Sequence, residues 1–366
     1  MGRGGVETWL VHVLRRIDRR FRLDFLVQTD APCAYDDEIR ALGGRIIHGP
    51  PRYPLRSFSS HFGRVLREYG PYDVVHSHLH NYNGFVLRLA HRHGVPVRIA
   101  HSHRDASPRE AQAGLAAKAL RKLMKRWIDR HATVGLAASR IAGAALFGPR
   151  WSSDPRWRTL YCGIDLFPFH APVDRPTVRA EFGLPADALV IGHVGRFHTQ
   201  KNHSFLVDVT TAVFLREPRA CLLLVGDGEL RPDIERRIAA SGFRERVVFA
   251  GLRGDVPRLM KGGMDVFLLP SLYEGLPLVL IEAQAAGLPC VLSDTVSDEA
   301  DVASESIARL PLDAPVERWA DAVLRAGDVS GGARRNTLAA VEDSPFNIVN
   351  GVAQLERVYE SGGRVG

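Results

Sequence analysis

Glu274 and Glu282 stand eight residues apart in the segment SLYEGLPLVLIEA (residues 271–283), with a Gly/Pro turn between them that runs into an apolar helical pattern. Just upstream, MDVFLLP (264–270) reads as a buried strand, so Glu274 falls in the loop at its carboxyl end and Glu282 about one turn inside the next helix. In an open α/β sheet that loop is where ligands bind. The free N–H groups of Gly275, Leu276, Leu278 and Val279 at the helix start suit an anion, and the two carboxylates flank it as acceptors for hydroxyls. A phosphate between two polyols is the chemistry of a sugar nucleotide. A second segment, GRFHTQKN (195–202), follows the strand pattern LVIGHV and sets Arg196 and Lys201 five residues apart, with Gly195 opening the loop. Arg forks onto phosphate oxygens and Lys supplies a point charge, so the pair is expected to clamp a diphosphate and stabilise it as a leaving group without a metal.

The elements that must hold these loops alternate in type. In the first half, residues 25–27, 45–47, 73–76 and 97–100 read as strands with helices at 6–17, 59–69 and 84–93 between them. A basic amphipathic helix (118–131), a strand (133–137), a helix (140–147) and a strand at 160–165 follow, and the Pro-rich stretch 167–176 reads as the linker. A second alternation runs from Leu189 to Leu292, and 346–359 has helical periodicity. Two doubly wound domains are therefore expected at 1–167 and 168–345, with a terminal helix at 346–360 packing back on the first. The chain opens on the glycine-rich turn GRGGVET with no strand before it. The first strand is thus expected to be missing, or to lie upstream of Met1, leaving two neighbours unpaired beside an apolar groove at about 1 kcal/mol per lost hydrogen bond.

Bulk properties are those of an ordinary globular protein: 366 residues, 45% hydrophobic, 24% charged. No apolar run is long enough to span a bilayer and no secretory signal is apparent, so a cytoplasmic protein is expected. Cys33, Cys162, Cys221 and Cys290 lack ligand spacing, which argues against a zinc site or disulfide framework and for a reducing compartment. Residues 1–170 carry a net +13 and 171–366 a net −6. The basic half is expected to face something anionic, a membrane surface rather than nucleic acid. The sequence contains no GxSxG, HExxH or P-loop, and Gly226-Asp227-Gly228 does not complete a dinucleotide fingerprint.

The run GRFHTQKN, LLLVGDGELRPDIE, VVFAGLRGDVPRLM and SLYEGLPLVLIEAQAAGLPCV, preceded by GGVET, DVVHSH, IAHSH and YCGIDLFPF, resembles the family 4 retaining glycosyltransferases in order and spacing across essentially the whole chain. The resemblance implies the GT-B fold, two Rossmann-like α/β domains facing a central cleft. It implies an EX7E pair of Glu274, beside the donor sugar, and Glu282, on the nucleotide ribose. Arg196 and Lys201 match the family's basic pair, Gly4 and Gly5 its first glycine loop, and the main chain at Leu252 and Arg253 the usual place of the base. His101 and His103 share a strand end where the family keeps one histidine near the reacting sugar, and His101 is the preferred candidate. His76 and His78 are read as support for the loop, and Asp165 as ordering the hinge. The implied enzyme moves a hexose from a nucleotide diphosphate sugar, UDP-linked by preference, to a sugar or lipid-linked acceptor in surface polysaccharide assembly, with no cofactor and no metal. The basic helix, with Leu120, Leu123, Met124, Trp127 and Ile128 among its cations, has two readings: the apolar stripe is its core-facing side, or the helix rests on the inner face of the plasma membrane. Two other readings are a sugar-nucleotide 2-epimerase, separable by product analysis without acceptor, and a non-catalytic sugar-nucleotide-binding partner subunit, separable by binding without turnover.

Overall fold

The computed structural model describes residues 5–29, 31–50, 55–103, 114–330 and 336–362. The chain divides into two compact units, Met1–Gly163 with Ile348–Gly366, and Ile164–Asn347.

The first unit runs α1 (Gly5–Leu14), β1 (Asp24–Val27), α2 (Asp36–Ala41), β2 (Arg45–His48), α3 (Leu55–Glu68), β3 (Val74–Ser77), α4 (Asn83–Arg92), β4 (Val97–Ser102), α5 (Leu115–His131), β5 (Val134–Ala137), α6 (Arg140–Phe147) and β6 (Trp157–Thr159). All pairings are parallel, in two sheets, β1-β2 and β3-β4-β5-β6. No strand precedes α1 among the described residues, and β1 and β3 do not pair. What joins the two sheets is α1. Its Trp9, 2% exposed, packs against the rings of His78, His101 and His103, while Val11 and Leu14 close on Phe25 and Ile39. Tyr72 Oη also donates to Asp24 Oδ2 at 2.6 Å. Apolar side chains of α1 thus fill space where the sequence led us to expect a groove.

Helix α5 decides between the two readings of its apolar stripe. Met124 and Ile128 are buried, and Leu120 and Trp127 pack on the cluster of Phe58, Phe62 and Phe85, so most of the apolar stripe faces the core. Only Leu123 (41% exposed) stays outside, joined by Leu115 at the start of the helix (86%). Similarly, the strand expected at 160–165 lies earlier, at β6. Trp157 stacks on Phe147 there with ring centroids 4.7 Å apart, and the ladder ends as Leu160 N–H donates to the Ala137 carbonyl.

The second unit comprises α7 (Phe167–His170), α8 (Arg175–Glu181), β7 (Leu189–Val194), α9 (His203–Arg216), β8 (Ala220–Val225), α10 (Arg231–Ala240), β9 (Val247–Gly251), α11 (Val256–Gly263), β10 (Val266–Leu269), α12 (Leu278–Ala285), β11 (Cys290–Ser293), β12 (Ile307–Leu310), α13 (Val316–Ser330) and α14 (Leu338–Asp343). Its six parallel strands lie in the order β12-β11-β10-β7-β8-β9. Because both faces are covered by helices, the strands read as continuous apolar runs; Leu222, Leu224, Val266, Leu268 and Val291 are wholly buried with Trp319 of α13. The stretch expected as the linker carries helix at both ends, with residues 171–174 irregular between them. Pro168 and Pro176 sit in the first turns of α7 and α8, where a missing N–H costs nothing, and Asp174 caps α8 by accepting from Thr177 N–H. Phe169 and Val178 are buried, and Arg179 is held by Asp265 Oδ2 (2.6 Å) and the carbonyls of Ala186 and Ala188.

The last helix, α15 (Ile348–Ser361), belongs to the first unit. Its Glu356 accepts from the Asp18 N–H at 2.8 Å, and its Tyr359 hydroxyl lies 2.9 Å from His76 Nδ1.

Candidate active site

In the second unit, β7-β8-β9 build in one direction from the middle of the sheet and β10-β11-β12 in the other, so the order reverses between β7 and β10. The loops leaving the carboxyl ends of those two strands flank the switch point, where ligands of doubly wound sheets bind. They are the loops that carry Arg196 and Lys201, and Glu274.

The first loop is held by its neighbours' backbone. Gly195 N–H donates to the Val225 carbonyl (2.9 Å), Phe197 N–H donates to the Asp227 carbonyl (3.0 Å), and the Phe197 ring, 1% exposed, stacks on His203 at 4.3 Å. Anchoring Phe197 inward turns Arg196 outward: it is exposed and makes no ion pair among the described residues. Asn202 then takes a left-handed conformation (φ 53°), a position the Asn side chain tolerates, and α9 starts.

Lys201 and Glu274 meet across the switch point. Lys201 Nζ donates to Glu274 Oε1 at 2.6 Å, Ser271 Oγ donates to the same oxygen at 2.8 Å, and Gln200 Nε2 reaches Glu274 Oε2 at 3.1 Å and the Tyr273 carbonyl at 3.0 Å. Leu272 N–H closes the link by donating to the Gln200 carbonyl at 2.8 Å. The pair is largely removed from water, with 15% of the Lys201 and 7% of the Glu274 side chain exposed. Ser271 is itself fixed, its carbonyl accepting from Ser293 Oγ and Thr295 Oγ1. Sequence reasoning missed the supporting Gln200 and Ser271, although both lie inside the two motifs. It also missed why the weak Gly226-Asp227-Gly228 segment is glycine-rich: a Cβ on Gly226 would stand 2.1 Å from the Gly195 carbonyl oxygen, and one on Gly228 2.5 Å from that of Phe197.

From Gly275, Leu276 and Pro277 the chain enters α12, whose first turn carries Leu278 and Val279; the Cβ side of Gly275 is open for 4 Å. Glu282 lies one turn further on, with no hydrogen-bond partner among the described residues, and burial pushes its carboxyl up from 4.5 to about 7. Stability tied to the uncharged form is therefore fully present below pH 4.5 and is lost as pH rises through about 7. The Glu282→Gln variant is expected to match the parent in thermal unfolding at pH 4 and to exceed it at pH 8. A difference that does not change with pH would rule out burial of the charge as its cause. Leu252 is 78% exposed in the loop after β9, while the Arg253 guanidinium is taken by Asp255 (2.7 Å) and Glu181 (3.0 Å).

In the first unit Gly4 lies outside the described residues, and Gly5 opens α1 with nothing within 4 Å of its Cβ position. His101 sits at the end of β4 and is 0% exposed, while His103, one residue beyond the strand, is partly exposed. His101 Nδ1 lies 3.0 Å from His76 Nε2, and His78 Nδ1 lies 2.8 Å from His103 Nε2. Burial holds His76 and His101 well below the ordinary imidazole range, reinforced by the neighbouring rings, and lowers His78 to about 4. His103 Nδ1 also approaches Cys162 Sγ at 3.5 Å, whose thiol burial raises to about 12. Asp165 accepts from the Phe167 N–H at the start of α7.

Residues 4–163 match the model of the Glycosyl transferase 4-like domain, and residues 188–327 that of the Glycosyl transferases group 1. EpsF of Bacillus subtilis (strain 168), named as a glycosyltransferase, is 36% identical over 367 residues, which cover 98% of this chain and 94% of EpsF. The UDP-Gal:alpha-D-GlcNAc-diphosphoundecaprenol alpha-1,3-galactosyltransferase of Escherichia coli is 28% identical over 299 residues, 79% of this chain and 75% of that enzyme. Among solved structures, Anabaena Alr3699/HepE in complex with UDP and glucose aligns with a TM-score of 0.78 at 20% identity, over 98% of this chain and 96% of that one. That likeness is one of fold, the GT-B class.

Proposed function

Since this chain belongs to the group 1 glycosyltransferases and is a glycosyltransferase, we propose that it moves a hexose from a UDP-sugar to an acceptor hydroxyl, with retention and without a metal, in the assembly of a surface polysaccharide. The observation that carries the site is the meeting of Lys201 and Glu274 at the switch point, 2.6 Å apart and largely out of water. In this reading the diphosphate lies against Lys201, Arg196 and the N-terminus of α12, and the ribose hydroxyls engage Glu282. Glu274, fixed by Lys201, Ser271 and Gln200, orients the sugar. The bond from the anomeric carbon to the phosphate oxygen breaks toward the two cations, the acceptor oxygen bonds to the same face, and its proton passes to the departing phosphate. UDP as nucleotide is supported by the bound UDP of HepE and the UDP-Gal of the Escherichia coli relative, and a lipid-linked acceptor by the diphosphoundecaprenol in that relative's name. Nucleotide release from a panel of UDP-, GDP- and ADP-sugars, with membrane extract as acceptor, tests the proposal. Release dependent on the extract supports it; nucleotide binding without release from any donor would favour a non-catalytic binding subunit.

No helix among the described residues is long and apolar enough to cross a membrane. Contact with an anionic bilayer is proposed through α5, where exposed Lys118, Lys122 and Arg126 recur every four residues along one face beside exposed Leu115 and Leu123. Each cation near such a surface contributes about 1 kcal/mol. The triple variant Lys118→Glu, Lys122→Glu, Arg126→Glu is expected to lose at least about tenfold in co-sedimentation with phosphatidylglycerol vesicles at low salt. Equal sedimentation of variant and parent would remove α5 from the proposal.

A further inference from the structure

Four histidines, His76, His78, His101 and His103, converge at the carboxyl ends of β3 and β4. The rings of His76 and His78 lie 4.2 Å apart, those of His101 and His103 4.0 Å, and His76 stacks on His101 at 5.1 Å with 7° between planes. One ring nitrogen from each of His76, His78 and His101 falls within 4.8 Å of the other two.

We infer that His76, His78 and His101 bind one transition-metal ion of the zinc class. Bonds of about 2.0–2.1 Å in tetrahedral geometry separate ligand nitrogens by about 3.3 Å. The His76 Nε2 to His101 Nδ1 distance is already 3.0 Å, so that pair opens by a few tenths of an ångström and the third ring closes in. His76 Nδ1 faces the Tyr359 hydroxyl at 2.9 Å, which leaves its Nε2 for the ion, and the His78 ring is braced by His103, whose Nε2 lies 2.8 Å from His78 Nδ1. Partners on the far nitrogen fix ring orientation in metal–histidine sites. His101 forms the floor at 0% exposure with Trp9 edge-on at 5.3 Å, while His76 and His78 keep partial exposure and give an ion a way in. Three imidazoles select zinc, cobalt, nickel or copper over magnesium and calcium, which take oxygen ligands, and leave a fourth position for water. The cysteine spacing gave no hint of such a site, because its ligands are histidines at the ends of neighbouring strands, with His76 and His78 lying 25 and 23 residues before His101.

The test uses the full chain, stripped with chelator, dialysed and titrated with CoCl2 alone while visible d–d absorption is recorded. Intense tetrahedral bands are expected, saturating at one Co2+ per chain and displaced by one equivalent of Zn2+. The Tyr359→Phe variant keeps the ring and removes the hydroxyl beside His76, and is expected to weaken Co2+ binding about 10- to 100-fold. His78→Gln is expected to abolish the bands. No band in the parent, or bands unchanged in the variants, would overturn the site. Tyr359→Phe preserves the packing, so it decides the matter even where His78→Gln does not fold.

Discussion

Replacing Lys201 with alanine is expected to lower kcat for sugar transfer by about 10²- to 10³-fold, the range for losing one preorganised charge at a developing anion. Two effects add. The departing diphosphate loses a cation, leaving Arg196 alone, and Glu274 loses the ion pair that holds it with only 7% of its side chain exposed. Removing one partner from a shielded pair strands the other charge, which is why single deletions of such pairs have large effects. Glu274→Gln keeps the shape and the Ser271 contact while removing the charge, so combining it with Lys201→Ala separates the two effects. If the residues act as a unit, the double variant resembles the worse single one; if they act independently, the losses multiply. Steady-state nucleotide release with kcat and KM resolved is the measurement, and a loss below about threefold would remove Lys201 from the catalytic set.

Gly226→Ala is expected to impair both stability and transfer, although the residue touches no ligand in the proposed scheme. Its φ of +132° lies where L side chains are strained, and the added Cβ would stand 2.1 Å from the Gly195 carbonyl oxygen and 2.9 Å from its carbon. That neighbour is main chain, with no rotamer to yield. Strain and overpacking cost about 1–3 kcal/mol each. The relief available is to push out the loop that carries Arg196 and Lys201, where a displacement of about 1 Å costs on the order of 10²-fold in rate. Gly242→Ala is the control: it also has positive φ, +80°, but nothing lies within 4 Å of its Cβ position. Gly242→Ala should lower Tm by a few degrees and leave kcat unchanged, whereas Gly226→Ala should lower both. Equal kcat in the two variants would refute the displacement argument.

The legible parts of this protein were those whose partners are close in sequence or whose pattern has one physical meaning. The apolar runs at 189–194, 221–225 and 266–269 were legible as strands because only a doubly covered sheet buries such runs on both faces. The roles of Arg196, Lys201 and Glu274 were suggested by loop position and charge. That Lys201 pairs with Glu274 was not, since a contact over 73 residues depends on the sheet order. The helix starts at Pro168 and Pro176 were not legible because proline at a helix start and proline in a linker look alike until the following turn is seen. The stripe on α5 left two readings open for a related reason: periodicity shows that one face is apolar, not what covers it. For His101, strand parity located the residue correctly, but nothing in the sequence revealed that Trp9 and three other imidazoles enclose it.

The return of α15 to the first unit sets a timetable for synthesis. A ribosome that has finished Gly163 has released every strand of that unit, but the helix that completes it, with Glu356 for the Asp18 amide and Tyr359 for His76, is encoded beyond the whole second unit. At about 5–20 residues per second, residues 164–347 take roughly 10–40 s to emerge. Throughout that interval the nascent first unit waits with one flank uncovered while its younger neighbour, built from a single uninterrupted stretch, is free to finish first. Maturation is thus free to run opposite to the order of translation, with α15 as the latch that closes the oldest part of the chain.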